Sequence, residues 1–140
     1  MKKLITLLLA LFMVSAVFSA ELKEKAEYEK EFDSTQSIKI ARLWVSENFK
    51  SGKNVIDTYD EELQILVGNG SCTEKVKLLN MQFHFKFKIT VKENKVKIVF
   101  SNFKVGEKHN ELQKGTVGVD QFYKTLDKLA ESLFQYYEDF

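Results

Sequence analysis

Met81-Gln82-Phe83-His84-Phe85-Lys86-Phe87-Lys88-Ile89-Thr90-Val91-Lys92 decides the fold. Its odd positions are apolar and its even positions polar, through six consecutive alternations. Side chains of an extended chain point alternately to two faces. The stretch therefore predicts a long strand with one buried face and one wet face, as in an antiparallel sheet covered on one side.

Working outward, Glu93-Asn94 predicts a tight hairpin, with Asn tolerating positive φ. The next strand turns Val96, Ile98 and Phe100 inward. Phe103 and Val105 fall on the other parity, and a bulge near Ser101-Asn102 would return them to the core. Upstream, Val55 to Tyr59 reads as a short strand and Asp60-Glu61-Glu62 as its turn. Leu63, Ile65 and Val67 begin a further strand that runs through Gly68-Asn69-Gly70 towards Val76. Its two glycines suggest a bulge or a sharp bend. Ala26 to Phe32 alternates at period two and gives a first strand after the charged lead-in of residues 21–27.

Two segments follow helical spacing. Asp33 and Ser34 are N-cap candidates for a helix running to about Lys50, with Ile38, Ala41, Val45 and Phe49 on one face and Trp44 beside them. Ser51-Gly52 would stop it. Val119, Phe122, Leu126, Leu129, Leu133, Tyr136 and Phe140 recur at steps of three and four, so a helix starts near Asp120 and carries this stripe to the C-terminus. On this phase Tyr137 or Phe134 is left partly exposed. The residues from Gly106 to Gly118 are polar, hold three glycines and read as a loop. The fold class is α+β, in the order β-α-β-β-β-β-α, with a four- or five-stranded antiparallel sheet and two helices packed on one face.

The first residues have the tripartite pattern of an export signal: Lys2-Lys3, an apolar run from Leu4 to Phe18, then small residues. Residues 1–20 are read as a cleaved signal peptide and residues 26–140 as one α+β domain. Cleavage after Ser19 places small or branched residues at the required positions, and Ala20 and Ala16 are the alternatives. The run is shorter than the roughly 20 apolar residues that span a bilayer, and no membrane span is expected after cleavage. The expected location is periplasmic or secreted.

The chain has 140 residues, 21 basic and 20 acidic. Without Lys2 and Lys3 it is near neutral, so bulk charge makes no case for nucleic acid or an anionic membrane. Cys72 is the only cysteine, which excludes an internal disulfide framework.

Two stretches resemble a family of secreted bacterial domains of unknown function described as having a TATA-binding-protein-like fold. Ala41-Arg42-Leu43-Trp44-Val45-Ser46-Glu47-Asn48-Phe49-Lys50 is similar to the family's helix ending in W-x-x-x-N-F. Lys97-Ile98-Val99-Phe100-Ser101-Asn102-Phe103 is similar to its F-x-N-F strand. The resemblance covers roughly residues 26 to 140. It implies the fold and an exported location, and it transfers no catalytic residue.

The residues themselves nominate no catalytic, metal or cofactor site. Cys72 could pair with His84 or His109 in a thiol or hydrolase site only if the fold joined them. Three such residues are too far apart in sequence for a zinc motif, and Asp57, Asp60, Glu61 and Glu62 lack the alternation of a calcium loop. Gly68-Asn69-Gly70 is followed by no Lys-Ser/Thr and opens no helix, so it is no phosphate loop. The open sheet face is the candidate partner-contact surface, with His84, Lys86, Lys88, Lys92, Lys95 and Lys97 forming a basic strip. A strip of lysine and threonine lacks the apolar wedges of minor-groove binders, and nucleic acid is not the expected partner. The expected function is a non-enzymatic binding module of the bacterial cell envelope, monomeric or weakly oligomeric. Its expected partner is an envelope protein or a phosphate-bearing ligand. The alternatives are the thiol enzyme and a structural subunit pairing through a sheet edge.

Overall fold

The computed structural model describes residues 22–49 and 55–140. The expected export signal and the expected Ser51-Gly52 helix stop lie outside them. The elements are β1 (Lys25–Glu31), α1 (Ile38–Asn48), β2 (Ile56–Asp60), β3 (Ile65–Val76), β4 (Leu79–Lys92), β5 (Lys95–Val105), β6 (Asn110–Glu111) and α2 (Val119–Asp139). Among the described residues no helix is long and apolar enough to cross a membrane.

All strands pair antiparallel, in the order β1-β5-β4-β3-β2, and β6 pairs with the end of β5. The sheet thus has six strands, one more than the largest number expected, because the 106–118 loop contributes β6. β4 is central, with Phe83, Phe85, Phe87, Ile89 and Val91 all buried. Val96, Ile98 and Phe100 of β5 share that face, and both helices cover it. Phe49, just past α1, stacks on Phe87 at 5.1 Å, and Phe122 of α2 stacks on Phe83 at 4.6 Å. Trp44 Nε1 donates to Ser132 Oγ at 3.0 Å, closing α1 against α2. Among the described residues no helix lies on the other face of the sheet.

The bulge in β5 is present. Pairing shifts between His84 and Lys86, and Asn102 takes φ 53°, which brings Phe103 back to the core.

Several boundaries differ from the sequence reading. The lead-in is shorter, because β1 starts at Lys25. Neither Asp33 nor Ser34 caps α1. Phe32 N and Gln36 N donate to the carbonyls of Asn94 and Glu93, holding that segment, bent at Asp33-Ser34, along the β4–β5 turn. Ser37 is the cap, and its hydroxyl accepts from Lys39 N. In the β4–β5 turn the residue at positive φ is Glu93, not Asn94. Asn94 instead donates its amide to Phe32 O. Leu63 is 67% exposed in the turn, and Leu66, not Ile65 or Val67, faces the core. Gln64 at φ 55° resets the strand's phase.

The pairing of β3 with β4 runs without a break through its two glycines, and the bulge at this point lies in β2, whose register shifts between Ile56 and Thr58 opposite Gly68. The glycines make room for rings. A Cβ on Gly70 would meet Phe85 at 2.7 Å and Phe49 at 2.8 Å. The α2 stripe also runs differently: Phe122, Leu126, Ala130, Leu133 and Tyr137 are buried, while Phe140 is 70% exposed. Tyr137 keeps the helical step from Leu133, and its hydroxyl donates to Ser37 O at 2.7 Å.

Candidate functional site

The open face is built from the even positions of β4 and the odd positions of β5. Lys92 pairs with Lys95, Thr90 with Lys97, Lys88 with Val99, and Lys86 with Ser101. His84 and Lys104 follow across the bulge. All six sequence-predicted contact residues therefore lie on one side of the sheet. They are not electrically equivalent.

β1 lies along β5 and puts Glu29 opposite Lys97 and Glu31 opposite Lys95. Lys95 Nζ is 3.4 Å from Glu31 and 3.6 Å from Glu29, and Lys97 Nζ is 3.6 Å from Glu27. The Glu31 hydrogen bond and the charges of Glu29 and Glu31 raise the ammonium pKa of Lys95. Lys25 first and Lys97 second hold the Glu27 carboxyl below its ordinary value. Among the described residues, Lys86, Lys88 and Lys92 have no ion pair. The basic strip thus divides: a neutralised half along β1 and β5, and three free ammonium groups along β4. Asn69 lies beside Lys86 on β3 and donates its amide to Asp57 Oδ2 at 2.6 Å.

At the far end of this face His84 and His109 stack, with ring centroids 3.7 Å apart and planes at 12°. His84 Nε2 lies 3.0 Å from Gly106 O. This contact joins a β4 residue to the β5–β6 turn. Two histidines distant in sequence gave no sign of it, because the turn that folds His109 back has φ 53° at His109 itself.

Cys72 stands elsewhere. It pairs with Phe83 while its neighbour Ser71 pairs with His84, so Cys72 faces the helices and both histidines face the open side. The sheet itself separates thiol from imidazole. Burial, with the Glu74 charge second, pushes the Cys72 thiol up to about 12. A nucleophilic cysteine needs the opposite shift. The acidic turn is also self-contained: Asp60 Oδ1 accepts from Glu62 N at 2.9 Å and Leu63 N at 3.0 Å. Among the described residues no group of three or more His, Cys, Asp or Glu could hold a metal ion.

An antiparallel sheet with two helices on one face and a bare second face defines a TBP-like α+β protein. Residues 34–105 match the family described as a domain of unknown function (DUF4468) with TBP-like fold, and the chain belongs to that family. Solved structures share the fold, two of them as follows. One is a TBP-like protein from Parabacteroides distasonis ATCC 8503, 10% identical, with a TM-score of 0.68 over 85% of this chain and 97% of that one. The other is a DUF4468 family protein from Bacteroides ovatus ATCC 8483, 17% identical, with a TM-score of 0.55 over 85% and 88%. No curated protein matches in sequence.

Proposed function

We propose that this chain is an exported, non-enzymatic binding module of the bacterial cell envelope that holds an anionic group on its open sheet face. One observation carries the reading: Lys86, Lys88 and Lys92 stand on an uncovered surface with no ion pair among the described residues, while their neighbours Lys95 and Lys97 are neutralised. A lysine is a compact, strongly hydrated donor that attracts phosphate or carboxylate without demanding fork geometry. Three of them on one face of one strand, with Thr90 between Lys88 and Lys92, form a line of positive potential on a nearly neutral protein. The leader pattern of residues 1–20 supports placing the module outside the cytoplasm. Phosphate-bearing envelope components and acidic envelope proteins both offer the required charge.

The test is a pull-down from envelope extract with the wild-type chain and with Lys86→Glu/Lys88→Glu/Lys92→Glu. The triple variant is expected to lose its partner, and Lys95→Glu alone is expected to keep most of it. Equal recovery by wild type and triple variant would remove the open face as the binding surface. Recovery lost on Cys72→Ala instead would revive a thiol-dependent reading.

A further inference from the structure

We propose that the tip of the β3–β4 hairpin is a membrane-docking element that inserts its leucines among the headgroups of an anionic phospholipid bilayer. Leu78 is 98% exposed and its neighbour Leu79 55%. Single exposed apolar residues are ordinary on a folded surface. Two consecutive leucines at a projecting tip are different, because among the described residues nothing covers them. β4 runs on from Phe83, where its pairing with β5 ends, for four more residues to Leu79. At the rise of an antiparallel strand this carries the tip about 13 Å past β5. Lys75 and Lys77 are both exposed, on the β3 arm leading into the turn. An apolar point with two cationic groups on one side matches a surface with anionic headgroups above hydrocarbon. A soluble anion would leave the leucines in water.

The place where the chain enters the fold is a second observation. Lys23 N donates to the Tyr123 hydroxyl at 2.9 Å, beside the start of α2, and Lys25 pairs with Ser101 near the end of β5. The start of β1, the end of β3, the start of β4 and the start of α2 therefore share one end of the sheet. Leu78 and Leu79 project from that end. Val117, 42% exposed, adds apolar surface here, next to Gly118, which lies against Val76 and Phe83. The acids of this end sit back from the tip. Gly106, just before Glu107, bonds to Gln82 O, four residues short of Leu78. Glu111 is paired with Lys104, and Asp120 lies in the first turn of α2.

This surface is separate from the Lys86–Lys88–Lys92 line, and the inference stands whether or not that line binds an anion. The test reads the tip locally. An environment-sensitive fluorophore is attached at Leu78→Cys in a Cys72→Ala background of the full chain, and in parallel at Leu63→Cys, in the β2–β3 turn at the other end of the sheet. Phosphatidylcholine vesicles containing phosphatidylglycerol are expected to blue-shift the label at position 78 and leave the one at position 63 unchanged. Phosphatidylcholine alone is expected to give the shift only at higher lipid. Adding Lys75→Glu/Lys77→Glu is expected to raise the lipid needed by at least about thirtyfold. No shift at position 78, or equal shifts at both positions, overturns the proposal, as does a shift insensitive to the lysine reversal. Capture of a protein at the tip with no response to vesicles overturns it in favour of a protein partner.

Discussion

Thr125 of α2 donates its hydroxyl to Oε1 of Glu74 on β3. Glu74 is the buried charged residue among the described core, 8% exposed on the helix-covered face. A carboxylate there is tolerable only while it is hydrogen-bonded. Thr125→Val keeps the shape and removes the donor, and is expected to cost about 1–3 kcal/mol. Glu74→Gln, whose amide oxygen still accepts, should cost less. Urea denaturation of the two variants checks the order, and a Thr125→Val chain as stable as wild type would show that Glu74 does not depend on this bond.

The two aromatic residues at the end of α2 should separate sharply. Tyr137 is 4% exposed, tilts against Phe32 and bonds Ser37 O, whereas Phe140 is 70% exposed. Tyr137→Ala is expected to lose about 3–5 kcal/mol, and Phe140→Ala to stay within about 0.5 kcal/mol of wild type. Tyr137→Phe isolates the hydroxyl and should cost about 1 kcal/mol. Thermal or chemical unfolding measures all three. Equal losses from Tyr137→Ala and Phe140→Ala would mean that the helix is packed on the other phase.

Gly68→Ala should destabilise although the change is one methyl group. The new Cβ would press on the Val55 carbonyl and come within 2.5 Å of Phe87 Cζ. One contact is backbone, which cannot swing away, and the other is a fully buried ring. Overpacking of this kind costs about 1–3 kcal/mol, read as a lower denaturation midpoint at unchanged slope.

The Cys72 thiol should be slow to react at ordinary pH. Its folded pKa is raised to about 12, so folding favours the neutral thiol. The stability this contributes is complete below the unfolded thiol value of about 8.5 and is lost as pH climbs towards the folded value. Alkylation at pH 8 is expected to be at least about a hundredfold slower in the native chain than in urea, from the thiolate fraction alone. Comparable rates in the two states would put Cys72 at the surface. Cys72→Ala is expected to flatten the fall in stability between about pH 9 and pH 12.

Much of this fold is visible in local pattern. The alternation from Met81 to Val91 and the phase slip at Phe103 are period-two signals, and a buried face with a corrective bulge is their direct consequence. The errors fall where the signal is not local. Ser37, not Asp33 or Ser34, caps α1 because residues 32 and 36 are held by the distant β4–β5 turn. Tyr137 and Tyr136 are neighbours with nearly equal hydrophobic content, and only the packing against Phe32 and Ser37 chooses between them.

The candidate surface divides in the same way. Period two put His84, Lys86, Lys88, Lys92, Lys95 and Lys97 on one face from the sequence alone, since one face is all an extended strand offers to alternate residues. Which lysines are free was decided by the tertiary structure, because β1 pairs with β5 across more than sixty intervening residues and delivers Glu27, Glu29 and Glu31 to Lys95 and Lys97. The separation of Cys72 from both histidines and the reach of Leu78 beyond the sheet were settled there too. Both depend on register and strand length relative to neighbours, and these are properties of chain segments brought together, absent from any one of them.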